Sequence, residues 1–128
     1  MALSYTEFDN LTGRILKNAY EVHTALGPGL LENAYKECLC YKLTKDGLFV
    51  EKEKPVPLVF EGVKLEVGYR LDILVENAII LELKSVEMLN DVHSAQVLTY
   101  MRLGNFKIGY LMNFNVSSLK NGIKRFVN

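Results

Sequence analysis

The segment from Ala78 to Leu83 is almost continuously apolar, yet it contains Glu82 and is followed at once by Lys84. A run of this length and composition is typical of a central β-strand that is covered on both faces. A carboxylate buried in such a strand is costly to desolvate unless it is paired or binds an ion. The segment therefore predicts a sheet with layers on both sides, and it indicates that Glu82 has a role beyond packing.

A second acidic residue, Asp72, lies in the preceding strand-like segment, Val67 to Val75, where apolar and polar side chains alternate. Asp72 and Glu82 share a face of the sheet only if the numbers of directly paired residues add to an even total. A three-residue loop, Glu76-Asn77-Ala78, meets that condition, whereas a two-residue loop would break it. The alternation predicts one face with Tyr69, Leu71, Ile73 and Val75 and the other with Arg70, Asp72 and Leu74, and it sets Asp72 opposite Glu82 and Arg70 opposite Lys84.

Two opposed carboxylates repel each other, but a divalent cation between them reverses the sign of the interaction. Hard oxygen ligands favour Mg²⁺ or Mn²⁺. Lys84 follows Glu82 by two residues and so lies on the same face of the strand. The pattern indicates phosphodiester hydrolysis, in which the metal lowers the pKa of a bound water while Lys84 orients the nucleophile or offsets developing charge.

The alternative is that Asp72 and Glu82 face solvent and form surface ion pairs with Arg70 and Lys84, each worth less than about 1 kcal/mol. The apolar run from Ile79 to Leu83 argues against such open exposure.

Three helices are predicted. The first runs from about Thr6 to Leu26, after a capping box at Ser4-x-x-Glu7. The second starts near Leu30, after Gly27-Pro28-Gly29, and ends at Asp46-Gly47. The third runs from Asn90 to Leu103, with Asn90 as its cap.

The remaining segments with a period of two predict strands at Phe49–Lys54, Val56–Phe60 and Lys107–Asn113, ahead of a polar, basic C-terminal stretch. Prolines 55 and 57 indicate an edge position. The order is helix, helix, three or four strands, helix, strand. It predicts a single domain over residues 1–128 of the α/β or α+β kind, with a mixed sheet flanked by helices.

Asp72 together with Glu82-x-Lys84 resembles the bipartite motif of the PD-(D/E)XK nuclease superfamily, which has a restriction-endonuclease-like core. The segment Gly29-Leu30-Leu31-Glu32-Asn33-Ala34-Tyr35 is similar to the signature of the GxxExxY proteins, a small group within that superfamily. The resemblance extends from Glu21-Val22-His23 to Gly122-Ile123-Lys124. It implies a metal-dependent nuclease that acts on DNA in preference to RNA.

Carried over onto this chain, the resemblance implies that Asp72 and Glu82 bind the metal, with the Leu83 carbonyl completing the inner shell. Glu32 would join the site directly or through water. Gln96 and Tyr100 resemble the Gln-x-x-x-Tyr motif of the recombination-exonuclease branch, which assists the lysine or contacts nucleic acid. Spacing adds support, because His93, Gln96 and Tyr100 fall on one helical face.

The chain has 15 basic and 15 acidic residues among 128, so its overall charge does not favour nucleic acid or a membrane as a partner. Binding a phosphate backbone would then need a local basic groove or a homodimer. Candidate groove residues are Arg70, Lys84, Arg102, Lys36 and Lys107, and His93 could contact the substrate.

The sequence has no targeting segment and no apolar run of about 18 residues, which predicts a soluble, cytoplasmic protein. The competing interpretation of its function is a non-catalytic nucleic-acid-binding or protein-assembly module that retains the nuclease fold. The presence of Glu32, Asp72, Glu82 and Lys84 argues against that module.

Overall fold

The computed structural model of the chain describes residues 3–128, apart from the side chains of residues 66 and 67. Its elements are α1 (Tyr5–Leu26), α2 (Glu32–Lys45), β1 (Val50–Phe60), β2 (Val63–Val75), β3 (Ile79–Lys84), α3 (Asp91–Gly104), β4 (Ile108–Asn113), a 3₁₀ turn (Leu119–Gly122) and β5 (Ile123–Val127). The five strands form one sheet in the order β1-β2-β3-β4-β5. β3 and β4 are parallel and the other neighbours are antiparallel, which confirms the predicted mixed sheet.

Helices cover both faces of the sheet, and a separate apolar core fills each side. On one face α1 and α2 pack on the sheet through residues such as Ile15, Leu39, Ile79 and Leu81. On the other face α3 packs through Val97, Tyr100 and Met101. β3 is the middle strand and its five residues from Ile79 to Leu83 are buried, as the apolar run predicts. Within residues 3–128, no helix is long and apolar enough to cross a membrane.

The ends of the helices follow from local side-chain chemistry. Ser4 and Glu7 form the predicted capping box of α1, and Gly27 ends that helix with a φ of 69°. Asn90 caps α3 through a second box with His93. α2 begins at Glu32, two residues later than predicted, because Gly29 and Leu30 are held in the preceding loop by bonds to other parts of the chain.

The N-terminal half of the sheet differs from the prediction in one respect. Phe49–Lys54 and Val56–Phe60 are not separate strands but parts of a single strand, β1, which passes through Pro55 with an irregularity between Val56 and Leu58. A proline is tolerated there because β1 lies at the edge of the sheet, as the prolines predicted.

The C-terminal stretch is also more ordered than the sequence indicated. Residues 123–127 form β5, which pairs antiparallel with β4 and closes the other edge of the sheet. Its charged side chains, Lys124 and Arg125, are exposed. Because these side chains are charged, the segment lacks the apolar alternation that would predict a strand.

Candidate active site

The hairpin of β2 and β3 has the register predicted from its three-residue loop, with Ile73 opposite Leu81 and Val75 opposite Ile79. Continued by one residue, this register places Asp72 opposite Glu82. The two acids are bonded across the hairpin: the Asp72 N–H donates to Glu82 Oε1 at 3.1 Å, and the Leu83 N–H donates to Asp72 Oδ2 at 2.9 Å. The two carboxylates thus take the place of the main-chain ladder at the point where it ends.

The predicted alternation along β2 holds for Ile73, Leu74 and Val75 but is wrong before Asp72. Leu71 packs in the core beside α3, whereas Ile73 and Val75 pack in the core beside α1 and α2. The alternation therefore changes phase at Asp72. The partner of Asp72 by register, Glu53, has a positive φ of 54° and forms no ladder pair, although Lys52 and Lys54 on either side of it do. Irregularities of this kind redirect side chains, and here the redirected residue is Asp72.

Glu82 is 3% exposed, and this burial dominates its acid–base behaviour. Burial, with the neighbouring charge of Asp72, raises the pKa of Glu82 from its usual 4.5 to about 9. A carboxyl group with this pKa holds a proton at neutral pH unless a cation takes the proton's place. The burial of Glu82 and the charge of Asp72 therefore favour the binding of a cation at this pair.

The main-chain N–H and C=O groups of Leu83 and Lys84 point to opposite neighbouring strands, as those of consecutive strand residues do. The Lys84 carbonyl accepts from the Phe114 N–H at 2.9 Å, on the β4 side. The Leu83 N–H points to Asp72 on the β2 side, and a strand residue directs its N–H and C=O to the same neighbour. The Leu83 carbonyl is therefore directed to the β2 side of the strand.

Glu32 is the first residue of α2 and is half-buried near Asp72. Burial and the charge of Asp72 raise the pKa of Glu32. Its position depends on Tyr35, a fully buried residue whose hydroxyl donates to the Gly27 carbonyl at 2.6 Å and accepts from the Leu30 N–H at 3.1 Å. The Tyr35 ring also stacks on Phe114 with centroids 4.7 Å apart.

α3 carries Gln96, Tyr100 and His93, the three residues that its spacing predicted to share one face. Lys84 Nζ donates to Gln96 Oε1 at 3.5 Å. Burial and the negative charge of Glu82 raise the pKa of Tyr100, whose ring lies 5.1 Å from that of Tyr69. His93 belongs to the capping box of α3, because its Nδ1 accepts from the Asn90 N–H.

Of the basic residues proposed for a groove, Lys84 and Lys36 lie at the carboxylates, whereas Arg70, Arg102 and Lys107 make their contacts elsewhere. Arg70 is exposed and pairs with Pro55 on β1, and it does not lie opposite Lys84 in the ladder, so the predicted Arg70–Lys84 pair is wrong. Arg102 donates to Thr99 on the exposed side of α3, about 200° around the helix from Tyr100. Lys107 precedes β4 and its carbonyl accepts from the N–H of the C-terminal residue.

Lys36 is buried instead of facing solvent, so it cannot belong to a solvent-facing groove. Its ammonium lies 3.3 Å from Glu53 Oε1 and 3.8 Å from Asp72 Oδ1. Burial lowers the pKa of Lys36, but the charges of Asp72 and Glu53 outweigh it and raise the pKa overall. The spacing of Glu32 and Lys36 places both on one helical face and was the available signal for Lys36; no sequence signal indicated Glu53.

Two asparagines at the C-terminal end of β4 and just after it fix the loops around the cluster. Asn113 is 2% exposed and bonds both the N–H and the carbonyl of Val86. Asn115 accepts from the Gly29 N–H, and Ser85 donates to the Leu30 carbonyl. The loop before α2, the loop after β3 and the end of β4 are thus joined in one network.

The donor set fits a hard divalent cation that keeps part of its water. Within the described part of the chain, no three histidine, cysteine or acidic side chains form a ready-made cluster. Mg²⁺ needs no such cluster, because proteins commonly hold it with one or two carboxylates plus substrate phosphates. Asp72 and Glu82 supply two carboxylates whose orientation is fixed by backbone N–H groups.

A mixed sheet between helices, with an acidic pair and a lysine at the point where its central hairpin opens, defines a restriction-endonuclease-like protein. The family model described as the PD-(D/E)XK nuclease superfamily matches residues 9–126, and the chain belongs to that superfamily. Comparison with curated proteins and with solved structures finds no significant match.

Proposed function

We propose that the protein is a metal-dependent nuclease that hydrolyses phosphodiester bonds, with DNA as its substrate in preference to RNA. One observation carries the proposal: Asp72 and Glu82 meet across the opening of the β2–β3 hairpin, with the Lys84 ammonium held by Gln96 beside them. Membership of the superfamily supports the reaction class, and the seven residues from Gly29 to Tyr35 support the narrower resemblance to GxxExxY proteins.

Asp72, Glu82 and the Leu83 carbonyl would hold Mg²⁺ or Mn²⁺, with Glu32 bound directly or through water. The cation supplies Lewis-acid charge for a phosphate oxygen. Burial supports this assignment, because Glu82 releases its proton at neutral pH only when positive charge compensates it. The backbone N–H groups that bind each carboxylate fix the direction of its remaining oxygen.

Lys84 is the group that acts on the substrate. It follows Glu82 by two residues on the same strand, so its ammonium can orient an attacking water or offset charge that develops on the phosphate. Gln96 Oε1 holds the ammonium in place without neutralising it. Tyr100 borders Glu82, and we assign to its hydroxyl a hydrogen bond to the substrate.

Substrate affinity must come from more than the net charge of one chain, which is zero. Phosphate contacts provide most non-specific affinity for nucleic acid. Arg70 and Arg102 are exposed, and His93 is close to Glu32, so a homodimer could add their contacts around one duplex. We propose such a dimer as the active form.

The test is a cleavage panel of supercoiled, linear, single-stranded and branched DNA and of RNA, each with Mg²⁺, Mn²⁺ or EDTA. The wild type, Lys84→Ala and the exposed α1 control Lys17→Ala are assayed in parallel. We expect cleavage that needs metal, survives Lys17→Ala and is lost in Lys84→Ala. Cleavage that survives Lys84→Ala would contradict the mechanism. Nucleic-acid binding without cleavage in any condition would instead establish the non-catalytic module.

A further inference from the structure

Lys36 has an unusual position for a lysine. It lies one helical turn after Glu32, is 8% exposed, and places its ammonium between two carboxylates from different strands. The contact with Glu53 Oε1 is the shorter one, at 3.3 Å, and the contact with Asp72 Oδ1 is 3.8 Å. A buried ammonium requires such partners, and one of the two is a carboxylate of the metal site.

The backbone of β1 is shaped to supply the other partner. Glu53 has a φ of 54° inside a strand, a conformation that non-glycine residues rarely adopt. Its side chain is half-exposed, whereas that of Asp72 is 16% exposed. Because the Glu53 carboxylate is half-exposed and bonds Lys36 independently of Asp72, it can keep the ammonium when the ammonium leaves Asp72.

The charges around the cluster are not balanced. When all are ionised, the four carboxylates of Glu32, Glu53, Asp72 and Glu82 exceed the two ammonium groups of Lys36 and Lys84 by two negative charges. One divalent cation removes that excess. A second divalent cation would make the cluster positive, so the charges present, with Lys36 among them, match a single divalent ion.

We propose that Lys36 is a built-in competitor of the divalent cation: its ammonium and the cation are alternatives on Asp72, and Glu53 retains the ammonium when the cation binds. This inference rests on the proposed metal-dependent function. Lys36 is therefore a positioning residue. It stabilises the acidic cluster before metal binds and limits the affinity of the site for metal.

Competition predicts that substitutions of Lys36 and of Glu53 change the affinity for Mn²⁺ in opposite directions. Lys36→Met keeps the length of the side chain and removes the competing charge, so Mn²⁺ should bind roughly tenfold more tightly. Glu53→Gln leaves Asp72 as the remaining close carboxylate for the ammonium, so Mn²⁺ should bind more weakly. Lys52→Met is the matched control. Lys52 is next to Glu53 on β1, is exposed, and forms its ion pair with Glu37.

The experiment is calorimetric titration of the full chain with Mn²⁺ at fixed pH and ionic strength, together with thermal unfolding in EDTA and in saturating Mn²⁺. Lys36→Met should unfold at a lower temperature than wild type in EDTA, and the difference should shrink in Mn²⁺. In the double variant Lys36→Met/Glu53→Gln, the Glu53 effect on Mn²⁺ affinity should disappear, because Glu53 acts through Lys36. If the effects of Lys36→Met and Glu53→Gln on Mn²⁺ affinity are additive, the two residues act on the cation only through long-range charge, and the competition is overturned.

An unchanged or weaker Mn²⁺ affinity in Lys36→Met would also overturn the inference. If Lys36→Met does not fold, Glu53→Gln decides, since unchanged or tighter binding in that variant contradicts the competition. The proposed function fails separately. A wild type that binds no Mn²⁺ refutes the metal site and this inference together, whereas binding abolished by Asp72→Asn but unaffected by Lys36→Met refutes the role of Lys36 alone.

Discussion

The backbone N–H of Asp72 donates to the carboxylate of Glu82 at 3.1 Å, so the two acids are coupled through the main chain as well as through their charges. This bond occurs where the ladder between β2 and β3 ends, and it is matched by the bond from the Leu83 N–H to Asp72. Without a cation, Glu82 holds a proton at neutral pH, so the arrangement keeps two carboxyl groups together without two full negative charges. Much of the behaviour expected of the protein follows from the raised pKa of Glu82.

The first prediction concerns the pH dependence of stability in EDTA. The folded-state pKa of Glu82, about 9, lies above the usual 4.5. The stabilisation from its proton is therefore complete below about pH 4.5 and is lost as the pH rises towards 9. This loss should reach at most about 1.4 kcal/mol per pH unit, and Glu82→Gln should remove it. Urea unfolding at pH 5, 7 and 9 measures the slope.

The control for that series is Glu87→Gln, which changes an exposed glutamate in the loop after β3. Its slope should match that of the wild type. Equal slopes in the wild type and Glu82→Gln would show that Glu82 does not carry the pH dependence.

The second prediction concerns stabilisation by metal. At a free Mg²⁺ or Mn²⁺ concentration of about 100 times Kd, the wild type should gain about 2.7 kcal/mol in the free energy of unfolding. Asp72→Asn removes the charge of a proposed metal ligand, so this gain should vanish, whereas the exposed α1 variant Asp9→Asn should keep it. Unfolding with and without metal measures the difference, and a retained gain in Asp72→Asn would exclude Asp72 as a ligand.

The third prediction concerns the contact between Lys84 and Gln96. Lys84→Ala should lower kcat/KM on the order of a hundredfold or more, and Gln96→Ala by roughly tenfold, because Gln96 orients the lysine. Lys84→Ala/Gln96→Ala should be no slower than Lys84→Ala. Steady-state cleavage assays of the wild type, the two single variants and the double variant measure this double-mutant cycle. Independent, multiplying losses would mean that Gln96 acts on the substrate and not through Lys84.

The fourth prediction concerns the loop before α2. Tyr35→Phe removes the bonds to the Gly27 carbonyl and the Leu30 N–H, and it should destabilise the fold by about 1–3 kcal/mol. Metal affinity should fall modestly, because this loop sets the start of α2 and hence the position of Glu32. Urea unfolding and calorimetry measure both effects. Tyr41→Phe, at an exposed position on α2, is the control and should change neither quantity.

The parts of the fold that the sequence predicted are those governed by short-range periodicity. The capping box of α1, the asparagine cap of α3, the buried middle strand β3 and the three-residue hairpin loop are all present as expected. β5 was missed because it is a short edge strand with exposed lysine and arginine, so its pairing with β4 leaves no apolar alternation to detect.

The candidate site, like the fold, was predicted from the sequence only in part. The parity of the hairpin is a property of residue numbers, so the sequence alone could bring Asp72 and Glu82 together. The ladder between β2 and β3 ends at Ile73 and Leu81, and Asp72 and Glu82 meet one residue beyond it through bonds to backbone N–H groups. Arg70 could not be placed in this way, because it lies past the change of phase at Asp72, where β2 continues in its pairing with β1.

The sequence by itself determined the class of fold, the superfamily motif and the pairing of Asp72 with Glu82, because these depend on spacing along the chain. Only the tertiary structure decided that β2 changes phase at Asp72, that Glu53 adopts a positive φ, and that Lys36 lies buried between them. These features bring together residues from α2, β1 and β2. Burial and charge act through space, so the pKa of Glu82 and the role of Lys36 depend on neighbours that no local pattern encodes.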